Sequence, residues 1–140
     1  MFHLLWHTGI RDSSPLIVSE VKGIASIPKE KDALKVINYM AKRMKESGRT
    51  DVRGLTIYNH QRHLPALDRK ETPFTDDVIE TALQQDVTLI TTWTIYKLVR
   101  NFEEFAWTHE QVKALFYQDG YIEAVPTHYK YVGVPVCHNR

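Results

Sequence analysis

The stretch PLIVSEVKGI, residues 15–24, has the pattern of a buried β-strand that ends in two charged side chains and a glycine. Because side chains alternate along a strand, Glu20 and Lys22 are expected on one face, about 6–7 Å apart between their Cα atoms. A carboxylate can bind a hard divalent cation, and a neighbouring ammonium can stabilise charge on a phosphate. The stretch therefore predicts phosphodiester hydrolysis chemistry, and the alternative is a same-face ion pair at a solvated strand end.

The composition predicts one soluble domain over residues 1–140. Of its residues 43% are hydrophobic and 25% charged, and the net charge of +1 gives no bulk attraction to nucleic acid. The single cysteine, Cys137, excludes an internal disulfide and a multi-cysteine zinc site. No apolar run reaches the roughly 18 residues of a membrane helix, and residues 1–7 are too short and polar for a signal peptide. We therefore expect a cytoplasmic protein that does not enter membranes.

Hydrophobic periodicity and turn residues predict the element order β-β-α-β-α-β-α-α-β-β. The predicted strands are 2–7, 15–23, 53–59 and 87–92, followed by a C-terminal hairpin of 121–125 with 129–136, and the predicted helices are 28–47, 75–85, 93–105 and 108–117. Strand–helix–strand units favour right-handed crossovers. The order therefore predicts an α/β fold, with a mixed β-sheet sandwiched by helices and a C-terminal β-hairpin.

The loop NHQRHLPALDRK, residues 59–70, follows a predicted core strand and is rich in amide and guanidinium groups. Loops in this position often bind ligands in α/β proteins, and these groups suit phosphate oxygens and base edges. The predicted substrate-binding residues are Asn59, Gln61, Arg62 and Arg69. The alternative is an arginine–carboxylate network with Asp68 and Glu71 that holds the loop in place.

Four segments together resemble the PD-(D/E)XK nuclease family, the restriction-endonuclease type. They are VSEVKG (18–23), RGLTIYNHQR (53–62), LPALDRK (64–70) and VTLITTW (87–93), and the likeness covers residues 2–100. The resemblance implies a restriction-endonuclease-like core and hydrolysis of nucleic acid, DNA favoured over RNA, with Mg²⁺ or Mn²⁺.

The resemblance also implies roles for individual residues. Glu20 and Lys22 match the second acid and the lysine of the family motif. Glu20 would ligate the metal with the backbone carbonyl of Val21, and Lys22 would orient the attacking water. Arg62 and Arg69 would hold the phosphate backbone.

The first acid of the family motif has no clear match. Asp12 lies eight positions before Glu20, in the predicted turn, more than roughly 20 Å from Glu20 along an extended strand. The residue that faces Glu20 across the predicted hairpin is His3, which becomes the third candidate metal ligand. An imidazole is a poor ligand for Mg²⁺. The helix that precedes the hairpin in the family also has no counterpart, which would fit a fragment of a longer protein.

Two function classes remain beside the nuclease. One is a catalytically inactive nuclease-like module for binding or assembly, which would form a homodimer or dock with neighbouring domains of a larger protein. The other is a plain α/β ligand-binding domain, which predicts no affinity for nucleic acid at any salt concentration.

Overall fold

The computed structural model describes residues 15–102, 107–124 and 129–131, which form five strands and five α-helices. The strands are β1 (Leu16–Gly23), β2 (Val52–Asn59), β3 (Val87–Thr91), β4 (Gly120–Ala124) and β5 (Tyr129–Tyr131). The helices are α1 (Glu30–Ala33), α2 (Val36–Ser47), α3 (Asp76–Gln84), α4 (Thr92–Arg100) and α5 (His109–Leu115), with a 3-10 turn at Ala66–Asp68. Within these described ranges, no helix has the length and apolar character needed to cross a membrane.

The strands form one sheet in the order β1-β2-β3-β4-β5. Strands β1 to β4 are parallel, and β5 pairs antiparallel with β4. The predicted α/β class is confirmed, since a four-stranded parallel sheet is covered by helices. The predicted strand 2–7 and the turn of the predicted C-terminal hairpin lie outside the described residues, so those two elements stay predictions.

The predicted single helix 28–47 is wrong, because the chain forms two helices with a turn between them. The hydroxyl of Thr56 on β2 donates a hydrogen bond of 3.1 Å to the carbonyl of Ala33. In an uninterrupted helix that carbonyl would accept from the amide of Ile37. The Ile37 amide instead bonds to the Leu34 carbonyl at 3.1 Å. A contact with the sheet therefore coincides with the break between α1 and α2.

Helix α2 packs closely against β2 because a glycine faces it. A β-carbon at Gly54 would stand 2.6 Å from Sδ of Met40 and 3.0 Å from Cγ1 of Val36. Both of these side chains are buried. At its other end α2 stops at Gly48, whose φ of 68° lies in the left-handed region that glycine adopts freely. These contacts fix α1 and α2 over the first two strands.

The helices divide between the two faces of the sheet. Helices α1, α2 and α3 pack on one face, in a core that includes Val36, Met40, Tyr58, Phe74, Val78, Ala82 and Leu89. Helices α4 and α5 pack on the other face, in a core that includes Leu55, Ile90, Leu98, Leu115 and Ile122.

The connection between β3 and β4 differs in hand from the two before it. Strands β1 to β4 follow one another in a single direction across the sheet. The α2 and α3 connections cross one face, whereas the α4–α5 connection crosses the other. The three crossovers therefore cannot all be right-handed, although the general preference used in the sequence prediction is for right-handed crossovers. Leu98 and Leu115 cover the face that the earlier helices leave open, which gives this connection an apolar surface to bury.

Candidate functional site

The carboxyl end of β1 carries the two charged residues that the sequence singles out. Glu20 and Lys22 are half-buried, whereas Ser19 and Val21 are exposed. This alternation places the two charged side chains on the face covered by α1 and α2, as expected from the strand period. The Val21 side chain, 69% exposed, points to the other face, and the predicted role of its carbonyl stays a prediction.

Lys22 forms an ion pair that the sequence pattern does not predict. Its Nζ lies 2.8 Å from Oδ1 of Asp32, and the two side chains are 31% and 33% exposed. The hydrogen bond from Lys22 lowers the pKa of the Asp32 carboxyl below its usual range. One signal could have indicated Asp32. It is an acidic residue on the first helix after the carboxyl end of a parallel strand, where α/β proteins place ligand-binding groups.

Tyr58 brings a buried hydroxyl to the same place. It stands opposite Lys22 in the pairing of β1 with β2, and it is 0% exposed. Its hydroxyl has no hydrogen-bond partner within the described residues. Burial raises the pKa of Tyr58, and the charges of Glu20 and Asp32 raise it further. We call Glu20, Lys22, Asp32 and Tyr58 the strand-end site.

Lys35, the N-cap residue of α2, carries a second ammonium near the strand-end site. Nζ of Lys35 lies 5.7 Å from the centre of the Tyr39 ring. Its contact with Tyr39 raises the pKa of Lys35, and the negative charge of Glu20 raises it further. The strand-end site therefore combines two carboxylates with one ammonium group and a neutral phenol, and Lys35 adds a second ammonium nearby.

The loop after β2 packs against the loop after β1. The Arg62 amide donates to the Ile24 carbonyl at 3.1 Å. The Arg62 side chain passes over Gly23, with its Cδ 3.7 Å from where a β-carbon would stand. Arg62 is itself exposed. Of the predicted substrate-binding residues, Arg62 thus adjoins the end of β1 and offers its guanidinium group to solvent.

Arg69 and Asn59 form a brace inside this loop. Nη1 of Arg69 donates to Oδ1 of Asn59 at 2.5 Å, and its Nε donates to the Leu64 carbonyl at 2.9 Å. The brace is made with an amide and a carbonyl, whereas the predicted alternative used the carboxylates of Asp68 and Glu71. Arg69 and Asn59 thus fix the shape of the loop through each other.

Gln61 and His60 close the same loop from the other side. The Lys70 amide donates to Oε1 of Gln61 at 2.6 Å, and Nε2 of His60 lies 2.7 Å from the Lys70 carbonyl. A carbonyl only accepts, so Nε2 carries the proton. His60 is 3% exposed, and burial lowers its pKa. Gln61 is therefore engaged in loop structure, like Asn59 and Arg69.

The donor atoms of the strand-end site suit a hard cation better than zinc. The described parts of the chain contain no group of three or more His, Cys, Asp or Glu residues that could hold a metal ion. His3, the third predicted ligand, lies outside them. Mg²⁺ commonly binds proteins through one or two carboxylates and keeps several waters. Glu20 and Asp32 supply such carboxylates, so the donor set fits Mg²⁺ or Mn²⁺.

A pocket of about 170 Å³ opens on the other face of β1 and is distinct from the strand-end site. Its lining includes Ile17, Ser19, Lys113 and Phe116. Ile17 and Ser19 alternate with Glu20 and Lys22 along the strand, so the pocket and the site lie on opposite faces of the sheet.

Comparison with known proteins found no match among family models, curated proteins or solved structures. The residues of the strand-end site and their surroundings are therefore the basis on which a function can be assigned.

Proposed function

We propose that the protein is a metal-dependent nuclease that hydrolyses phosphodiester bonds, with DNA favoured over RNA and a restriction-endonuclease-like core. One observation carries the proposal. Glu20 and Lys22 share a face at the carboxyl end of β1, and the exposed Arg62 lies directly beside that end. A carboxylate, an ammonium and a guanidinium group in one place match the chemistry of phosphate hydrolysis.

In this proposal each residue has a distinct task. Glu20 holds Mg²⁺ or Mn²⁺, with the Val21 carbonyl and His3 as further candidate ligands. The bound cation would polarise the phosphate and lower the pKa of its water. Lys22 orients the attacking water and offsets the charge that develops on the phosphate. Arg62 contacts the nucleic-acid backbone.

The brace within the loop changes the roles proposed for three residues. Asn59, Gln61 and Arg69 use polar atoms for contacts within the loop. We therefore assign them the positioning of Arg62 and its neighbours rather than direct readout of the substrate. With a net charge of +1, binding would depend on local exposed cations such as Arg62 and Lys70 and weaken as salt rises.

Nicking of supercoiled plasmid with Mg²⁺ or Mn²⁺ tests the proposal. We expect nicking that EDTA abolishes and that Glu20→Gln reduces by about 10²-fold or more, since it removes a ligand charge. Glu30→Gln is the matched control, because Glu30 is an exposed glutamate on α1. Wild-type protein that cuts neither DNA nor RNA with either cation would contradict the proposal.

A second function is favoured by the ion pair at the site. The 2.8 Å contact with Asp32 already neutralises the Lys22 ammonium, as a purely structural pair would. A catalytically inactive module for nucleic-acid binding or assembly is therefore the alternative, acting as a homodimer or beside other domains. It predicts binding of labelled DNA without cleavage, or self-association in sedimentation experiments, with Glu20→Gln leaving both unchanged.

A further inference from the structure

Helix α1 brings Asp32 directly over the end of β1. The Ala33 carbonyl is held by the hydroxyl of Thr56, which stands opposite Glu20 in the pairing of β1 with β2. Asp32 precedes Ala33 in the chain and reaches Lys22, two residues beyond Glu20 on the same face. Two independent bonds from α1 to the sheet therefore fix the Asp32 carboxylate above the Glu20–Lys22 face.

A second observation points to a ligand at the same place. The Tyr58 hydroxyl is fully buried and has no hydrogen-bond partner within the described residues. Burying a hydroxyl without a hydrogen-bond partner is unfavourable, so a buried hydroxyl of this kind points to a bound water or ligand. Tyr58 stands opposite Lys22 in the pairing of β1 with β2, so its side chain lies on the same face of the sheet as Glu20 and Lys22. A hydroxyl in this position can donate to a water or to an oxygen ligand bound at the strand-end site.

We propose that Asp32 is the second carboxylate of a Mg²⁺ or Mn²⁺ site whose first carboxylate is Glu20, and that Lys22 and the cation compete for it. The inference rests on the proposed function, and it supplies the acid that the family motif leaves unmatched. Hard cations prefer carboxylate oxygens, and two such ligands with waters satisfy Mg²⁺. A cation bound by Asp32 would take that carboxylate from Lys22, and the Lys22 ammonium would then be available to a phosphate.

The competing interpretation is that Asp32 only holds Lys22 in place. In that case Asp32 acts on cation binding solely through Lys22, and replacing Lys22 removes its influence. A ligand, by contrast, keeps its influence whether or not Lys22 is present. A double-mutant cycle with cation affinity as the readout separates these two roles.

The experiment measures Mn²⁺ binding by titration calorimetry in the full chain without nucleic acid. We expect Glu20→Gln and Asp32→Asn each to weaken binding at least tenfold, and the α1 control Glu30→Gln to stay within twofold of wild type. Lys22→Met should strengthen binding severalfold, because it removes the competitor and a repelling charge. Circular dichroism melts confirm folding, and Asp32→Ser serves as a second variant if Asp32→Asn does not fold.

The decisive comparison is Asp32→Asn in the Lys22→Met background. We expect a loss of at least tenfold there too. The inference is overturned if the double variant binds Mn²⁺ as tightly as Lys22→Met alone. If Glu20→Gln still loses Mn²⁺ binding in that case, the proposed function stands without Asp32 as a ligand. If Glu20→Gln keeps wild-type affinity, or wild type takes up no Mn²⁺, the proposed function fails as well.

Discussion

The parallel strands begin at one side of the sheet and end at the other, and we call these sides the amino-terminal edge and the carboxyl-terminal edge. At each edge a basic side chain from a strand pairs with acidic side chains, but the surroundings of the two pairs differ. At the amino-terminal edge, Arg53 of β2 contacts Asp119, and its Nη1 lies 3.8 Å from Asp86. These two aspartates directly precede β4 and β3, so each sits in a turn that enters a strand. At the carboxyl-terminal edge, Lys22 is followed by α1, and Tyr58 by a long loop.

This difference shows that an ion pair at a strand end is not by itself evidence for catalysis. The Arg53 side chain is 18% exposed, and its contacts tie together the starts of three strands. Burial raises the pKa of Asp119 even though Arg53 lies beside it. The strand-end site instead has loops around it, an exposed arginine nearby and a hydroxyl that finds no partner among the residues the structure describes. We therefore expect function at one edge and stability at the other.

The largest expected effect separates the two edges by chemistry. Lys22→Met should reduce the rate of plasmid nicking by about 10²–10³-fold, because one group that stabilises charge on the phosphate is lost. Its ion pair is about one-third exposed, so the free energy of unfolding should change by no more than about 1 kcal/mol. Nicking rates and urea melts of the same preparation check both. A Lys22→Met protein with the wild-type nicking rate would remove the distinction between the edges.

The converse change should affect stability. Arg53→Met leaves the half-buried Asp119 without its cation, which should lower the free energy of unfolding by about 2–4 kcal/mol. Urea melts measure this loss. The nicking rate per folded molecule should stay close to that of wild type. An Arg53→Met protein that is as stable as wild type but no longer cuts DNA would show that catalysis depends on the amino-terminal edge, which would contradict the account.

Two tyrosines on the same face of the sheet sharpen the comparison. The Tyr121 hydroxyl donates to the Glu71 carbonyl at 3.0 Å, whereas the Tyr58 hydroxyl has no partner in the described part of the chain. Tyr121→Phe should therefore cost about 1 kcal/mol of unfolding free energy, and Tyr58→Phe should be neutral or slightly stabilising. Thermal melts of the pair measure this. Equal losses in both variants would mean that the Tyr58 hydroxyl is satisfied in solution.

The smallest expected effect concerns pH and the loop beside the site. Burial lowers the pKa of His60, so the unfolded chain takes up a proton on that imidazole before the folded protein does. The stability that His60 provides is therefore present above pH 6.5 and declines as pH falls below it. His60→Gln should flatten the decline of Tm between pH 7.5 and 5.5. If the slope is the same in both proteins, His60 is not the group that titrates.

The sequence was sufficient for features that depend on local spacing. The alternation in residues 15–24 correctly predicts that Glu20 and Lys22 lie on one face of β1 and Val21 on the other. Strand β2 and helix α3 are also close to their predicted bounds, because a period of two and the cap at Thr75 are local signals.

The features that could not be predicted from the sequence depend on contacts between residues that are distant in the chain. Asp32 reaches Lys22 from a short helix that ends where the Thr56 hydroxyl takes the Ala33 carbonyl. No spacing rule within residues 28–47 encodes that bond. The brace between Arg69 and Asn59 likewise joins residues ten positions apart through an amide, where charge pattern alone suggested carboxylates.

The most direct test of the account is the single-turnover cleavage rate of one labelled DNA duplex as Mn²⁺ is titrated against wild-type protein. We predict that the rate rises from zero to a plateau with rising Mn²⁺, and that Glu20→Gln lowers the plateau or moves the rise to higher concentrations. A duplex left intact at every Mn²⁺ concentration, or cut at a rate that does not depend on the Mn²⁺ concentration, would contradict the assignment of the strand-end site to phosphodiester hydrolysis.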